Sequence, residues 1–499
     1  MTNSKKNILK SVYFFLLAGI CLILCSRSSF LYPCNNWDDA NSYFTMGKGL
    51  MNGLVIYRDL YDQKGPYLYL LYGLSYLLSN RTFYGVLFME IISGAFFLFG
   101  SYRVASLFCR TKTALALLPV MAVSFYVSKS FYWGGAAEEF CLPLMIWSLY
   151  FGIKIQRNAY SKRYLLCLIL LNGLFAGIIL QLKYTLLGFY IPWIFFILIR
   201  ELADQKITQA LKSAVIFGIG MFLPSVPWII YFAAHGALDD WYRCYLYNNV
   251  FLYSSIMRES FSEKILKTVK VFYYLIIDNF SYFIWIIAGF AGYELTVSET
   301  KLSKIQYFFL FVFSFLGIFW AGGKLPYYSI PLVVFAAPGI GFLGKLIDFF
   351  SKHIPVFHGR YAIKIFFNLS LLIICILFLH AFSGNSDFSK QAKSDFYLYR
   401  FRDIVLQEQN PTLLNVGCLD AGLYTLTGIV PFCEYFQTNG IALPEMFQEQ
   451  SRYITSGQTL FVLSRNEIPE NIEAHYNLVS TEKYISGNYD FTYYLFKRK

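Results

Sequence analysis

Residues 164–200 read YLLCLILLNGLFAGIILQLKYTLLGFYIPWIFFILIR, two apolar runs with a short polar break at Gln181 and Lys183 between them. Each run approaches the roughly 20 apolar residues that a helix needs to cross a bilayer. Similar runs recur along the chain and predict an all-α polytopic membrane protein with about eleven spans. The predicted spans are residues 11–31, 83–107, 113–130, 140–156, 164–181, 184–200, 212–233, 270–292, 305–321, 326–344 and 362–382.

The composition excludes most other classes. Of 499 residues, 57% are hydrophobic and only 14% are charged, whereas about a quarter of the residues in a soluble domain are charged. A soluble, disordered or collagen-like chain is therefore excluded. The net charge of +12 comes from basic residues that flank apolar runs, which is typical of cytoplasmic loops. We expect a lipid bilayer around the chain and no nucleic-acid partner.

The basic loops also predict an orientation. If Lys5, Lys6 and Lys10 are cytoplasmic, almost every other basic loop falls on the same side, as the positive-inside rule requires. The exceptions are Lys264, Lys267 and Lys270. This topology places outside the segments 32–82, 131–139, 182–183, 234–269, 322–325 and everything after about 383. A multi-pass protein of a bacterial plasma membrane, with a cytoplasmic N-terminus, fits this pattern best.

The last part of the chain differs from the rest. Residues 383–499 lose the long apolar runs and predict a small extracytoplasmic α/β domain after a transmembrane domain over 1–382. We predict a helix over 395–408, a turn at Asn410–Pro411 and strands near 412–416, 459–463 and 493–496. Cys418 and Cys433 lie in this domain, where a disulfide and two free buried thiols are both compatible with the spacing.

Charged and polar residues are concentrated in the first predicted exterior loop. Residues 36–43 read NWDDANSY and residues 57–66 read YRDLYDQKGP. Between them, apolar residues at helical spacing and polar residues opposite predict an amphipathic interfacial helix; its polar side includes Asn41, Lys48 and Asn52. Asp38 and Asp39 either cap the N-terminus of this helix or take part in a reaction. The apolar stretch 66–79 is too short to span and predicts a juxtamembrane or re-entrant helix.

Five motifs follow one another along the chain. They are Asp38-Asp39 with Tyr43, Gly53, Asp62-x-Lys64-Gly65-Pro66, Gly134-Gly135 with Glu138-Glu139 and Pro143, and Gly323-Lys324 with Pro326-Tyr327-Tyr328. They cover about residues 1–345. In this order they resemble the GT-C superfamily of polytopic membrane glycosyltransferases, in particular the family 39 relatives of protein O-mannosyltransferases and the aminoarabinose transferase, of the bacterial cell-surface polysaccharide type.

The resemblance implies a sugar donor linked to a polyprenyl phosphate and a catalytic base in the first loop. The base is Asp39 or Asp38, and the assignment between them stays open at this point. Glycosyl transfer to a hydroxyl also needs a cation near the departing phosphate. The site candidates are Asp39, Asp38, Glu138 and Glu139 as catalytic or orienting acids, Lys64, Arg58, Lys183, Lys324, Tyr327 and Tyr328 for the donor phosphate, and Asp59 and Asp62 as loop supports.

Several of these residues also have an interpretation without a role in catalysis or binding. Arg58 and Lys183 fit equally well as interfacial side chains that extend to water, and Glu138 and Glu139 fit a solvated loop end. The sequence favours an inverting glycosyltransferase that acts on a cell-envelope glycan, glycolipid or protein acceptor outside the membrane. It neither requires nor excludes a divalent metal and implies no other cofactor. The alternative is a polytopic transporter or flippase of lipid-linked saccharides.

Overall fold

The chain divides into two compact units. The computed structural model describes residues 3–157, 160–252, 260–296, 299–320, 324–353, 361–441, 443–486 and 489–499. The helical unit comprises Met1–Ser26, Glu90–Val226 and Glu259–Ser386, and the mixed α/β unit comprises Arg27–Met89, Pro227–Arg258 and Asp387–Lys499. The predicted boundary at 382 lies close to the last of these divisions. The mixed unit also takes in two earlier segments, which the sequence did not indicate.

Long apolar helices build the helical unit. The α-helices are Asn3–Cys25, Tyr84–Ala105, which starts in the mixed unit, Thr111–Tyr126, Ala137–Arg157, Lys162–Leu180, Tyr190–Ala203, Ile207–Phe222, Phe261–Asp278, Phe280–Leu295, Lys301–Phe319, Ala337–His353 and Tyr361–Phe382. Shorter 3₁₀ segments are Lys129–Phe131, Tyr184–Phe189, Leu223–Ser225 and Pro326–Ala336.

The predicted spans coincide with helices. Among the described residues, 7 helices are long and apolar enough to cross a membrane, or 8 if one bent pair counts as a span. Three further predicted spans are helical but miss this criterion. Thr111–Tyr126 has only 16 residues, Ala137–Arg157 carries charges at both ends, and the apolar part described in the last helix is Ser370–Phe382. The chain is a multi-pass membrane protein.

One predicted span is wrong as a single straight helix. The segment 270–292 is divided between Phe261–Asp278 and Phe280–Leu295, which meet at 106°. The buried Asn279 side chain causes the break, since its amide donates to the Leu275 carbonyl at 3.1 Å and its oxygen accepts from the Ser130 backbone N–H at 3.1 Å. The span was predicted from the length of its apolar run, which does not indicate a bend at one polar residue.

The C-terminal segment forms the predicted α/β fold around a four-stranded sheet. Strands β1 (Leu413–Val416), β2 (Phe461–Arg465), β3 (Tyr476–Ser486) and β4 (Tyr489–Arg498) have the order β1-β2-β4-β3. β1 and β2 are parallel, and the other pairs are antiparallel. Strand β3 was not predicted. The helices of this segment are Tyr397–Val405, Leu423–Thr427 and Pro444–Thr455. Cys418 and Cys433 are free thiols, so no disulfide joins them.

The loop helix (Asp38–Met51) packs against the helix Pro66–Leu78 in the same unit. A Cβ at Gly47 would lie 2.4 Å from the Gly73 nitrogen, so the two helices approach closely here. Further helices of the unit are Val226–Ala234, whose first residue belongs to the helical unit, Leu238–Trp241 and the π-helix Tyr242–Leu252.

The prediction of an interfacial polar side is wrong for Asn41 and Lys48, which are fully buried. The Thr45 hydroxyl donates to Asp420 at 2.7 Å, and the Lys48 amine donates to the Tyr424 carbonyl at 2.7 Å. This part of the helix is therefore paired with the C-terminal segment, whereas Asn52, just after the helix, is exposed.

Candidate active site

Asp38 and Asp39 lie in the first turn of the loop helix. The N-cap residue is Trp37, and it makes no side-chain capping hydrogen bond. Asn35 instead accepts the Trp37 backbone N–H at 3.1 Å through its side-chain oxygen. The interpretation of either aspartate as the N-cap is therefore wrong. Both carboxylates are half-buried, and both benefit from the positive end of the helix dipole.

Asp38 is held by an arginine that sequence analysis missed. A carboxylate oxygen of Asp38 accepts from Arg465, at the end of strand β2, at 2.7 Å. Burial raises the pKa of Asp38 to about 6, although Arg465 acts to lower it. The partners are 427 positions apart, and no local pattern links them. A pKa of about 6 suits a general base, but this carboxylate is already engaged by a guanidinium.

Asp62 supports the second half of the loop. It is buried and accepts from the Tyr69 hydroxyl at 2.9 Å and from the Asn439 amide at 3.0 Å. Burial raises the pKa of Asp62; the charge of Lys64 lowers it and the charge of Asp39 raises it. The charges of Lys64 and Asp39 therefore act on Asp62 in opposite directions.

Lys64 is half-buried beside the loop helix. Its amine lies 5.8 Å from the centre of the Tyr43 ring. Its backbone is fixed on both sides, since its N–H donates to the Tyr69 hydroxyl at 2.8 Å and its carbonyl accepts from the Tyr57 hydroxyl at 2.6 Å. The backbone of this cation is therefore held in place before any substrate arrives.

Arg58 and Asp59 form a two-bond ion pair. Two guanidinium nitrogens of Arg58 donate to the two carboxylate oxygens of Asp59 at 2.8 and 3.0 Å. A third nitrogen donates to the His235 carbonyl at 2.8 Å, and Asp59 accepts the Val55 N–H at 2.7 Å. The guanidinium lowers the pKa of Asp59. This pair fastens the loop to His235, directly after the helix Val226–Ala234, and the phosphate role of Arg58 stays a prediction.

The helical unit brings three other candidates together. The Lys183 amine lies 2.9 Å from a Glu138 carboxylate oxygen and 4.4 Å from the centre of the Tyr328 ring. Glu138 is buried at the start of its helix, and the ring of the buried Tyr327 meets that of Tyr328 edge-on at 4.9 Å. A cation, a carboxylate and an aromatic face therefore share one site.

Glu139 points to a different place. It is buried and accepts the Gly135 N–H at 3.0 Å. Gly134 has a φ of 79°, and a Cβ there would lie 2.0 Å from the Ser26 hydroxyl oxygen. That hydroxyl lies 2.9 and 3.0 Å from the two carboxylate oxygens of the buried Glu90. Glu139 therefore fixes the glycine turn from inside the protein.

Lys324 lies beside an acid that sequence analysis missed. Its amine is 3.8 Å from a carboxylate oxygen of Asp278 and 3.6 Å from the centre of the Tyr274 ring. Lys129 lies 2.9 Å from the other oxygen of Asp278. Gly323, from the same predicted motif, lies outside the described residues. Over the described part of the chain, no three His, Cys, Asp or Glu side chains form a group that could hold a metal ion.

Comparison with solved structures identifies the fold. ArnT from Cupriavidus metallidurans bound to undecaprenyl phosphate matches with a TM-score of 0.63 and 11% identity, over 99% of this chain and 98% of that chain. Its apo form matches with a TM-score of 0.60 and 12% identity, over 99% and 98%. The Archaeoglobus fulgidus oligosaccharyltransferase in complex with zinc and sulfate matches with a TM-score of 0.52 and 13% identity, over 96% and 72%.

Sequence comparison alone finds no counterpart. No family model matches the chain, and no curated protein matches it. The structural matches extend over almost the whole chain and include the aminoarabinose transferase that the sequence motifs resemble. The chain has the fold of the GT-C membrane glycosyltransferases.

Proposed function

We propose that this protein transfers a glycosyl group from a polyprenyl-phosphate-linked sugar to a glycan, glycolipid or protein acceptor. The observation that carries the proposal is the match, over almost the full length of both chains, to a transferase solved with undecaprenyl phosphate. The acidic and basic residues of the loop 32–82 supply the chemical groups that such a transfer needs.

Asp39 is the proposed general base. It takes the proton of the acceptor hydroxyl while the hydroxyl oxygen attacks the anomeric carbon. The bond from that carbon to the phosphate oxygen breaks, and the electron pair leaves with the polyprenyl phosphate. A single displacement of this kind inverts the anomeric carbon. Asp39 is preferred to Asp38 because it lies four residues before Tyr43, the spacing between acid and aromatic in the motif that the chain resembles.

Lys64, in the same unit as Asp39, is proposed to stabilise the departing phosphate. Lys183 is proposed as a separate donor contact in the helical unit, where the Glu138 carboxylate fixes its position and the Tyr328 ring face favours a cation. A fixed ammonium group stabilises the charge that develops on a leaving phosphate without reorganisation during the reaction. The reaction is proposed to take place on the extracytoplasmic face.

The direct test compares Asp39→Asn with wild type, both purified in detergent. The substrates are a panel of polyprenyl-phosphate sugars and a cell-envelope extract as acceptor. Asparagine keeps the shape of the side chain but is not a base, so transfer should fall by about a hundredfold or more. Asp387→Asn is the matched control, because Asp387 is a 92% exposed carboxylate of the same unit. Equal rates in wild type and Asp39→Asn would reject Asp39 as the base.

A flippase of lipid-linked saccharides is the alternative function. The helix break at Asn279 favours it, because discontinuous helices are common in transporters. Reconstituted vesicles distinguish the two functions. A transferase releases polyprenyl phosphate and glycosylates the acceptor, whereas a flippase moves the intact lipid-linked saccharide across the bilayer and makes no product.

A further inference from the structure

A small cavity in the mixed α/β unit has a strongly one-sided charge. It lies where residues 27–41 meet residues 81–84 and the first part of the C-terminal segment. Three cationic side chains line it, Arg27, Arg81 and Lys393, and its lining among the described residues contains no Asp or Glu. None of these cations belongs to the candidate active site. The local excess of positive charge favours an anion.

The innermost cation is held in a fixed position. Arg27 is 2% exposed. One of its terminal nitrogens donates to the side-chain oxygen of Asn36, and its guanidinium carbon lies 4.4 Å from the centre of the Phe388 ring. A guanidinium held by a hydrogen bond and an aromatic face is pre-organised, so little side-chain entropy is lost when it binds an oxyanion.

The other two cations are accessible from solvent. Arg81 and Lys393 are both exposed, and neither forms an ion pair with a carboxylate among the described residues. Solvated surface cations are common, but these two line the same cavity as a buried arginine. The cavity lining therefore combines two exposed cations with one buried cation.

The remaining polar groups of the cavity do not neutralise these charges. Ser28, Asn35 and Thr82 are uncharged donors and acceptors. Burial raises the pKa of the Cys34 thiol to about 12, although the charges of Arg27 and Lys393 act to lower it. The thiol is therefore protonated and neutral near pH 7, and it adds no negative charge to the cavity lining.

We propose that this cavity binds a single tetrahedral oxyanion, a phosphate group. Its interior offers about 20 Å³ for the centres of water-sized atoms, which is enough for the oxygens of one compact oxyanion but not for a sugar ring. Guanidinium groups match the geometry of phosphate oxygens. The phosphate belongs either to a phosphorylated acceptor or to the headgroup of an anionic lipid, since both present the same chemistry.

The test uses inorganic phosphate as the probe. The full-length protein, purified in a neutral detergent, is titrated with phosphate by calorimetry at constant ionic strength. The variant Arg81→Gln/Lys393→Gln should bind phosphate about tenfold more weakly or worse, because it loses two charge-assisted contacts. Lys390→Gln/Arg452→Gln is the matched control, since it removes two exposed cations of the same unit, and it should bind like wild type.

Equal phosphate affinities in wild type and Arg81→Gln/Lys393→Gln would overturn the proposal, as would no phosphate binding by wild type. Because binding is measured without donor sugar, the result does not depend on the proposed transferase activity. Nanodiscs of phosphatidylcholine with and without phosphatidylglycerol then identify the source. Competition by phosphatidylglycerol assigns the site to a lipid headgroup. Without such competition, a raised acceptor KM at unchanged kcat in Arg81→Gln/Lys393→Gln assigns it to the acceptor.

Discussion

At the scale of single residues, the two neighbouring aspartates have different surroundings. Asp38 is paired with Arg465. The charge of Asp39 instead raises the pKa of Asp62, which the charge of Lys64 lowers. Asp38→Asn should therefore keep its transfer rate within about tenfold of wild type, while Asp39→Asn should fall by about a hundredfold or more. Initial transfer rates of the two variants are the measurement. The reverse pattern would move the base to Asp38, whose pKa of about 6 suits that role.

A second residue-scale prediction concerns Lys183. Its amine is fixed by Glu138 and the Tyr328 ring, so Lys183→Ala should lower kcat/KM for the donor by about a hundredfold or more. Lys183→Arg should retain part of the activity, because it keeps the charge.

Lys129→Ala is the control for Lys183→Ala. It also removes a paired lysine of the helical unit, but that lysine is 71% exposed, and an exposed pair is worth about 0–1 kcal/mol. If Lys183→Ala and Lys129→Ala have the same kcat/KM, Lys183 has no part in donor binding or turnover.

At the scale of elements, the buried face of the loop helix predicts a pH dependence. Burial lowers the pKa of Lys48 to about 7; Asp420 acts to raise it and Arg81 to lower it. Between pH 7 and the ordinary lysine pKa of about 10.4, the unfolded chain binds this proton and the folded chain does not. The free energy of unfolding should therefore rise with pH in this window, by up to about 1.4 kcal/mol per unit.

The variant Lys48→Met isolates this contribution. It has no titratable group at this position, and it leaves the Tyr424 carbonyl without its donor. The free energy of unfolding of wild type minus that of the variant should grow from pH 7 to pH 9. Urea unfolding of the detergent-solubilised proteins at the two pH values measures it. A difference that stays constant or shrinks would show that Lys48 keeps its proton in the folded protein.

Some elements could be predicted from local pattern and some could not. The apolar runs that predicted the spans coincide with helices of the structure, because the length of an apolar run is a local property of the sequence. Apolar length did not reveal the bend at Asn279, since the two polar residues Asp278 and Asn279 barely change the mean hydropathy of a span-length segment. The amphipathic pattern located the loop helix but assigned its polar side to water. A helix that pairs its polar side with a distant segment has the same pattern as one in the interface.

Some residues of the candidate site could also be predicted from the local sequence, and others could not. Motif spacing indicated Asp39, Lys64 and Glu138, and the predicted exterior face indicated Lys183, but neither could indicate their partners. Arg465 and Asn439 contact the loop from positions 427 and 377 residues away, and such pairings exist only in the folded chain. Arg58 and Glu139 were chosen for their charge, and their contacts show what that charge does locally.

At the scale of the whole molecule, the distribution of basic loops predicts the membrane orientation. Cysteines introduced at the exposed positions Asn52 and Ser451 should react with an impermeant thiol reagent in intact cells. A cysteine at the exposed Asp204, in a predicted cytoplasmic loop, should react only after permeabilisation. The opposite labelling pattern would place the loop 32–82 in the cytoplasm, away from the proposed face of reaction.

The proposed activity is glycosyl transfer from a polyprenyl phosphate carrier. The most direct measurement follows the purified wild-type protein with a polyprenyl-phosphate sugar and an acceptor, and quantifies released polyprenyl phosphate and glycosylated acceptor by mass spectrometry. One polyprenyl phosphate should appear for each sugar transferred, and the new linkage should have the inverted anomeric configuration. No glycosylated acceptor with any donor in the panel, from protein that is folded and binds the donor, would contradict the claim.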